Sequence, residues 1–290
     1  MTSIAAPSRV TPGIFGQFLV FARRNPTIVL GAALLVARAA VAVIAPWIAG
    51  DPRLMTPTNR LQSPSAAFWF GTDNLGRDVF ARSVYGAQVS LIVGLSVAIV
   101  SVAVGLAIGL AAGYYRRLDA LLMRFMDGLM AIPAILLAIA LVSLNKASVF
   151  IVIVAIAIPE VPRVVRLVRA VVLTTREQPF IEAAIGGGSR DLKIIGRHIL
   201  PSTIAPLIVQ ATYITASAIL IEAALSFLGA GVPPEIPTWG NMIASSRLFL
   251  ASAPWTIFFP GAALALVILA VNLMGDGLRD RLDPRLARRM

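Results

Sequence analysis

Between Val89 and Tyr115 the chain runs for 27 residues without a charged side chain (VSLIVGLSVAIVSVAVGLAIGLAAGYY). A helix lying on a soluble core keeps a polar face, and this stretch has none. About 20 residues of this character, wound as a helix, cross the roughly 30 Å of hydrocarbon in a bilayer. Similar windows lie at 27–49, at 125–144, from Ala147 to an end between Pro159 and Val168, at 203–228 and at 254–275. A backbone in hydrocarbon must satisfy its own hydrogen bonds, so each window is expected to be helical. The predicted fold class is all-α, a polytopic membrane protein with six transmembrane helices. Hydrophobic residues make up 58% of the chain, against about 45–50% in soluble domains. Most of them fall in the spans, which leaves no core for a large soluble domain.

The net charge of +11 does not point to nucleic acid. Of the 25 Lys and Arg, eighteen fall in segments on the N-terminal side of the bilayer and six on the other. Arg38 lies inside the first span. Lys and Arg concentrate in cytoplasmic loops, so both termini are expected inside, with membrane lipids around the spans. The first residues lack the short apolar core and cleavage site of a secretory signal, and the first span is expected to direct insertion. The expected organisation is an N-terminal cytoplasmic segment (1–26), a first helix (27–49) and an external loop (50–88). A five-helix core (89–276) with a cytoplasmic loop (169–202) follows, then a cytoplasmic tail (277–290). Cys is absent and His occurs once, which excludes disulfides, thiolate sites and multi-histidine metal sites. No Gly-x-x-x-x-Gly-Lys-Ser/Thr loop is present to cradle phosphates. The chain is therefore expected to be non-catalytic, with no cofactor of its own.

One segment breaks the apolar pattern: FIEAAIGGGSRDLKIIGRHILP, residues 180–201. Pro179 suits the first helical position. The run FIEAAI reads as a short helix ended by the glycines, which adopt the positive φ of a helix C-terminus. Ser189 is expected to cap a second helix, with Asp191 in its first turn. Leu192, Ile195 and Ile199 recur at helical spacing on one face, and Pro201 is expected to stop the helix. An amphipathic helix at this place could lie in the headgroups, pack under the spans or dock in a partner's groove.

Glu182-Ala183-Ala184, Gly188 and the ending His198-Ile199-Leu200-Pro201 resemble the EAA motif of ABC importer permeases. The resemblance extends to FGTDNLGRDVFARSVYGAQVSL (70–91), RFMDGLMAIPAILLAIAL (124–141), ILIEAALSFLGAGVPPEIPTWGNMI (219–243) and NLMGDGLRDRLDPRL (272–286). By these segments the chain is identified as similar to the second, DppC/OppC-like permease of the dipeptide, oligopeptide and nickel family. Val161 stands where such permeases often carry Trp. The resemblance implies a type I importer permease fold in a bacterial inner membrane, with residues 180–201 as the coupling helix. The ATPase-coupling residues would be Glu182, Ala183, Ala184, Gly188, Ser189, Asp191, Leu192 and Ile195. It also implies a homologous second permease, two cytoplasmic P-loop ATPase subunits that hold ATP and Mg, and an external solute-binding protein. The cargo would be a peptide or a related small solute.

Ionisable residues in spans are functional candidates, and Asp127 and Glu222 qualify. Asp127 is expected to pair with Arg124 or Arg116, and Glu222 to make a hydrogen bond between helices or to line a gate. Asn272 is expected to donate between helices. Gly105, Gly109 and Gly113 recur every four residues as a close-packing seam. Pro133 and Pro260 are expected to kink their spans. The competing function is a proton-coupled secondary transporter using Asp127 or Glu222. That reading calls for repeat symmetry, which the sequence does not display.

Overall fold

The computed structural model describes residues 21–282, so most of the expected N-terminal segment and the last residues of the tail lie outside the described residues. Five long elements build the bundle: α1 (Pro26–Ile48), α2 (Val79–Tyr114), α5 (Val149–Arg176), α8 (Leu200–Phe227) and α10 (Trp255–Leu282). Between them lie α3 (Arg116–Met130), α4 (Ala134–Ser143), α6 (Pro179–Gly186), α7 (Asp191–Ile194) and α9 (Trp239–Ser246). One end of the bundle carries the Arg-rich connections, and the opposite end carries the two long loops.

α2 and α5 form the central pair, and the sequence shows why they approach so closely. A Cβ added at Gly105, Gly109 or Gly113 would sit 2.5, 2.7 or 2.6 Å from the Cβ of Val164, Val168 or Val172. The glycine seam of one helix thus receives a valine seam with the same four-residue period. Without a hydrophobic drive between helices in lipid, such close van der Waals packing holds them together. α8 packs against both helices, and α10 joins α8 to α1 at the periphery. Gly31 of α1 meets the backbone of Ala270 and Met274, and Gly277 of α10 meets Ile28. Large exposed side chains such as Val36, Val43, Leu95, Ile99 and Phe150 are suited to hydrocarbon on the outer faces.

Two expected spans need correction. The second helix begins at Val79, ten residues before the apolar window, so the loop ahead of it ends near residue 78. Asp78 caps it, accepting from the Phe80 N–H at 2.8 Å. Burial pushes the Asp78 carboxyl up, offset in part by the N–H groups of Phe80 and Ala81. The expected third span is not one straight helix. α3 and α4 meet at an 84° bend, because Pro133 has no N–H and disfavours helix in the residue before it. α4, with 10 residues, covers only about 15 Å.

By length and composition four helices are able to cross a membrane, or five with the bent pair taken as one. α5 is long enough at 28 residues, but from its middle onward it holds Glu160, Arg163, Arg166 and Arg169. The expected six spans therefore depend on α5 crossing with those charges. α10 continues through Pro260 as one helix.

The loops opposite the Arg-rich end are ordered. Trp239 is fully buried and donates to the Ser83 carbonyl at 3.0 Å. Trp255 donates to the Thr72 carbonyl at 3.3 Å, and the Phe70 and Phe259 rings stack at 4.0 Å. Asp73 takes the backbone N–H of Leu75 and Arg77 and the Arg77 Nε.

Candidate functional site

The Arg-rich end is dominated by residues 177–199. Pro179 occupies the first turn of α6 and Glu182 follows within that turn. The helix ends as the glycines predict: the Ser189 N–H reaches the Ala184 carbonyl at 3.0 Å and the Gly188 N–H the Ile185 carbonyl at 2.9 Å. This paired closure needs a left-handed residue at its centre, and Gly188 has φ +76°. A Cβ at Gly188 would meet nothing within 4 Å. The demand for glycine there is conformational and owes nothing to crowding within the chain.

Ser189 does not cap the second helix. Arg190 holds that position without a side-chain bond, because Ser189 belongs to the closure of α6. Pro201 does not stop the helix either. α7 passes into a wide turn over Ile195–Ile199, where the Leu200 N–H returns to the Ile195 carbonyl, five residues back. Widening the turn shifts the hydrogen-bond register just before the residue that has no N–H to give. α7, the wide turn and α8 thus run as one 37-residue helix from Asp191 to Phe227. The shift also changes the buried face. Ile194 and Ile199 are buried, whereas Leu192 is 81% exposed and Ile195 is half-buried.

The loop is anchored from below by Ile181, Ile194 and Ile199, all fully buried. Its outer surface presents Phe180, Ile185 and Leu192, with Glu182, Ala183 and Gly186–Gly188 exposed among them. Three large apolar side chains around a small-residue helix, at the charged end of the bundle, mark an interaction surface.

Polar contacts tie this surface to the ends of two long helices. Tyr114, the last residue of α2, donates its hydroxyl to Asp191 Oδ1 at 2.9 Å. Arg176, the last of α5, donates to the Tyr114 carbonyl at 2.8 Å and lies 5.5 Å over its ring. Asp191 therefore holds α7 to α2, beyond its expected place in a first turn. Tyr114 and Arg176 were not expected from sequence; their only signal is a pair of tyrosines and a base at helix ends.

The intramembrane candidates are dispersed. Asp127 is half exposed and pairs with Arg166 at 2.6 Å, not with Arg124 or Arg116, because the bend brings α3 against α5. Nearby, Arg169 makes a two-pronged pair with Asp119. Glu222 is fully buried. It accepts from Ser226 at 2.8 Å within its own helix, and its second oxygen has no hydrogen-bond partner among the described residues. The expected bond between helices is thus intrahelical, and Ser226 also receives the Val232 N–H at 3.4 Å. Asn272 is half-buried and makes no side-chain hydrogen bond among the described residues. Arg38, likewise half-buried, makes no ion pair among them.

Glu160 of α5 was not expected. It is 1% exposed, accepts from Arg163 at 2.9 and 3.2 Å and from Ser217 of α8 at 3.4 Å. A charge at such depth costs about 2.5–3.5 kcal/mol on insertion scales unless partnered. An acid between two prolines inside an apolar run, IPEVP at 158–162, was the available signal.

Comparison with known proteins places this architecture. Residues 103–288 match the model of a family described as binding-protein-dependent transport system inner membrane component. A probable peptide ABC transporter permease protein of Sinorhizobium fredii is 60% identical over 92% of each chain. A dipeptide transport system permease protein of Alkalihalophilus pseudofirmus is 46% identical, over 91% of this chain and 88% of its own. A di/tripeptide transport system permease protein of Pseudomonas aeruginosa is 41% identical, over 97% and 95%. A chain from an inward-facing crystal structure of the MetNI methionine ABC transporter shares the fold, with TM-score 0.57 at 17% identity over 70% of this chain and 96% of its own. A multi-pass helical bundle, an exposed helical loop at its charged end and near-full-length identity to permeases agree, and the chain belongs to the family of binding-protein-dependent transport inner membrane components.

Proposed function

We infer that this chain is one permease subunit of an ATP-driven ABC importer and forms half of a translocation pathway for peptides or a closely related solute. The observation that carries the reading is the exposed surface of Phe180, Ile185 and Leu192 around Glu182 and Ala183. It is closed by Gly188 and roped to α2 and α5 through Tyr114, Asp191 and Arg176. In this reading the surface docks on a cytoplasmic ATPase subunit, and both termini lie on that same side, in keeping with the excess of Lys and Arg there. The partners are a homologous second permease, two P-loop ATPase subunits that carry ATP and Mg, and an external binding protein that delivers cargo. Peptide cargo is supported by the names of the relatives, three of which refer to peptides or dipeptides.

Mechanically, closure of the ATPase pair would push on α6 and α7. Because α7 continues into α8 and is bonded to the end of α2, the push reaches two long helices as a rigid-body movement of the kind used in alternating access. The test uses the absence of Cys. A single-cysteine Ala183→Cys chain, purified in mild detergent with its partners, should cross-link to a P-loop ATPase and support vanadate-sensitive peptide uptake. A chain that purifies alone and moves solute without ATP would instead be a proton-coupled secondary carrier.

A further inference from the structure

Glu160, Arg163 and Ser217 sit at mid-span. Glu160 is eleven residues from the Val149 end of α5 and Ser217 ten from the Phe227 end of α8, about 15–16 Å along each helix. Glu160 is buried, but the Arg163 side chain that binds it is 51% exposed. Only its NH1 is engaged, by both carboxylate oxygens. Guanidinium carries five N–H donors, so the Nε and NH2 donors are left without a partner among the described residues.

Toward the Arg-rich end the same face holds a few polar groups among apolar ones. A cleft of about 490 Å³ is lined by Leu167, Val209, Gln210, Tyr213 and Arg279, among others. Tyr213 donates to Asp276 of α10 at 2.9 Å. Charged groups at membrane depth face a bundle interior or a water-filled cavity and not lipid. On this face the one mid-span acid is sequestered, so the accessible charge at that level is the cationic edge of Arg163.

We propose that the α5–α8–α10 face is a wall of the water-filled transport path, and that Arg163, oriented by Glu160 and Ser217, takes a carboxylate of the cargo as it passes. The proposal rests on the importer reading and adds a specificity-determining contact within it. A planar guanidinium presents two parallel donors to a carboxylate, and every unmodified peptide carries one at its C-terminus. Glu160 is a positioning residue, because its contact with cargo is blocked by burial.

The test has two arms on the complete complex. In nanodiscs, single-cysteine Gln210→Cys and Ser217→Cys chains are treated with a charged, water-soluble methanethiosulfonate and with a lipid-partitioning maleimide. Labelling by the water-soluble reagent is expected. Labelling by the maleimide alone, or by neither as in a sealed subunit interface, overturns the proposal. In proteoliposomes, uptake is measured for the unmodified peptide, from a panel of di- to pentapeptides, that the wild type imports fastest with ATP. Arg163→Gln should lower its uptake at least tenfold while Arg163→Lys keeps a substantial part. The double variant Glu160→Gln/Arg163→Gln should stay as defective as Arg163→Gln, since neutralising the acid does not replace the lost donor. Restoration of uptake in the double variant would show a purely structural ion pair and overturn the cargo contact. Wild-type ATP-dependent uptake is scored separately, so loss of the importer reading itself would be visible as no transport of any peptide.

Discussion

At the scale of single residues, backbone conformation separates the three consecutive glycines of the loop. Gly188 alone has a positive φ, and Gly186 is helical with open space where a Cβ would sit. Gly188→Ala should therefore lower stability by about 1 kcal/mol, the cost of a left-handed non-glycine residue. Gly186→Ala should raise it by about 0.5–1 kcal/mol. Thermal unfolding of the detergent-purified complex would register both, as shifts of opposite sign. Gly188→Asp should leave insertion intact and weaken ATPase docking, through backbone strain and added charge at the exposed surface; normal assembly and transport in that variant would refute the coupling role. Ser226 offers a second residue-level case. It donates to the buried Glu222 carboxyl at 2.8 Å and also accepts from the Val232 N–H. Ser226→Ala should cost about 1–3 kcal/mol, the usual penalty for stranding a buried acceptor, and thermal unfolding again reports it.

At the scale of elements, the α2–α5 seam decides how the bundle closes. Gly109→Ala places a methyl 2.7 Å from the Val168 Cβ, whereas Gly128 of α3 has nothing within 4 Å. The first substitution should lower stability by about 1–3 kcal/mol through overpacking. Gly128→Ala should be neutral or stabilising, as for an exposed helical glycine. Equal effects in a thermal assay would mean that the two helices do not meet along this seam. The seam was legible in advance, because a four-residue spacing of glycines has a direct steric meaning in lipid. The sharp bend between α3 and α4 was only half legible. Pro133 announced a disturbance, but its size depends on what each half packs against, and Asp119 and Asp127 of α3 find Arg169 and Arg166 on α5.

At the scale of the whole molecule, the loop acts as a lever only if its motion reaches the spans. Tyr114→Phe removes the bond to Asp191 and keeps the ring under Arg176. ATP hydrolysis by the complex should persist while peptide uptake falls several-fold, so the ratio of peptide moved to ATP consumed drops. A proportional fall in both would place Tyr114 in assembly instead of transmission. Continuity supplies the other connection, since α7 and α8 form one helix through the wide turn at Ile195–Ile199.

The amino-acid order by itself determined that the chain is a bundle of apolar helices, where most of them lie, which glycines permit close packing and where a polar loop interrupts them. These are local properties: a run of apolar side chains or a glycine at fixed spacing carries its consequence within a few turns of helix. Tertiary structure alone decided that Leu192 faces out while Ile194 and Ile199 face in, that Ser189 closes α6 instead of opening α7, that Glu160 meets Ser217 of α8 and that Asp127 meets Arg166 of α5. A shift of one hydrogen bond in a wide turn rotates every following side chain, and ion pairs between helices depend on packing angles set by the whole bundle. Neither quantity is written in any one segment.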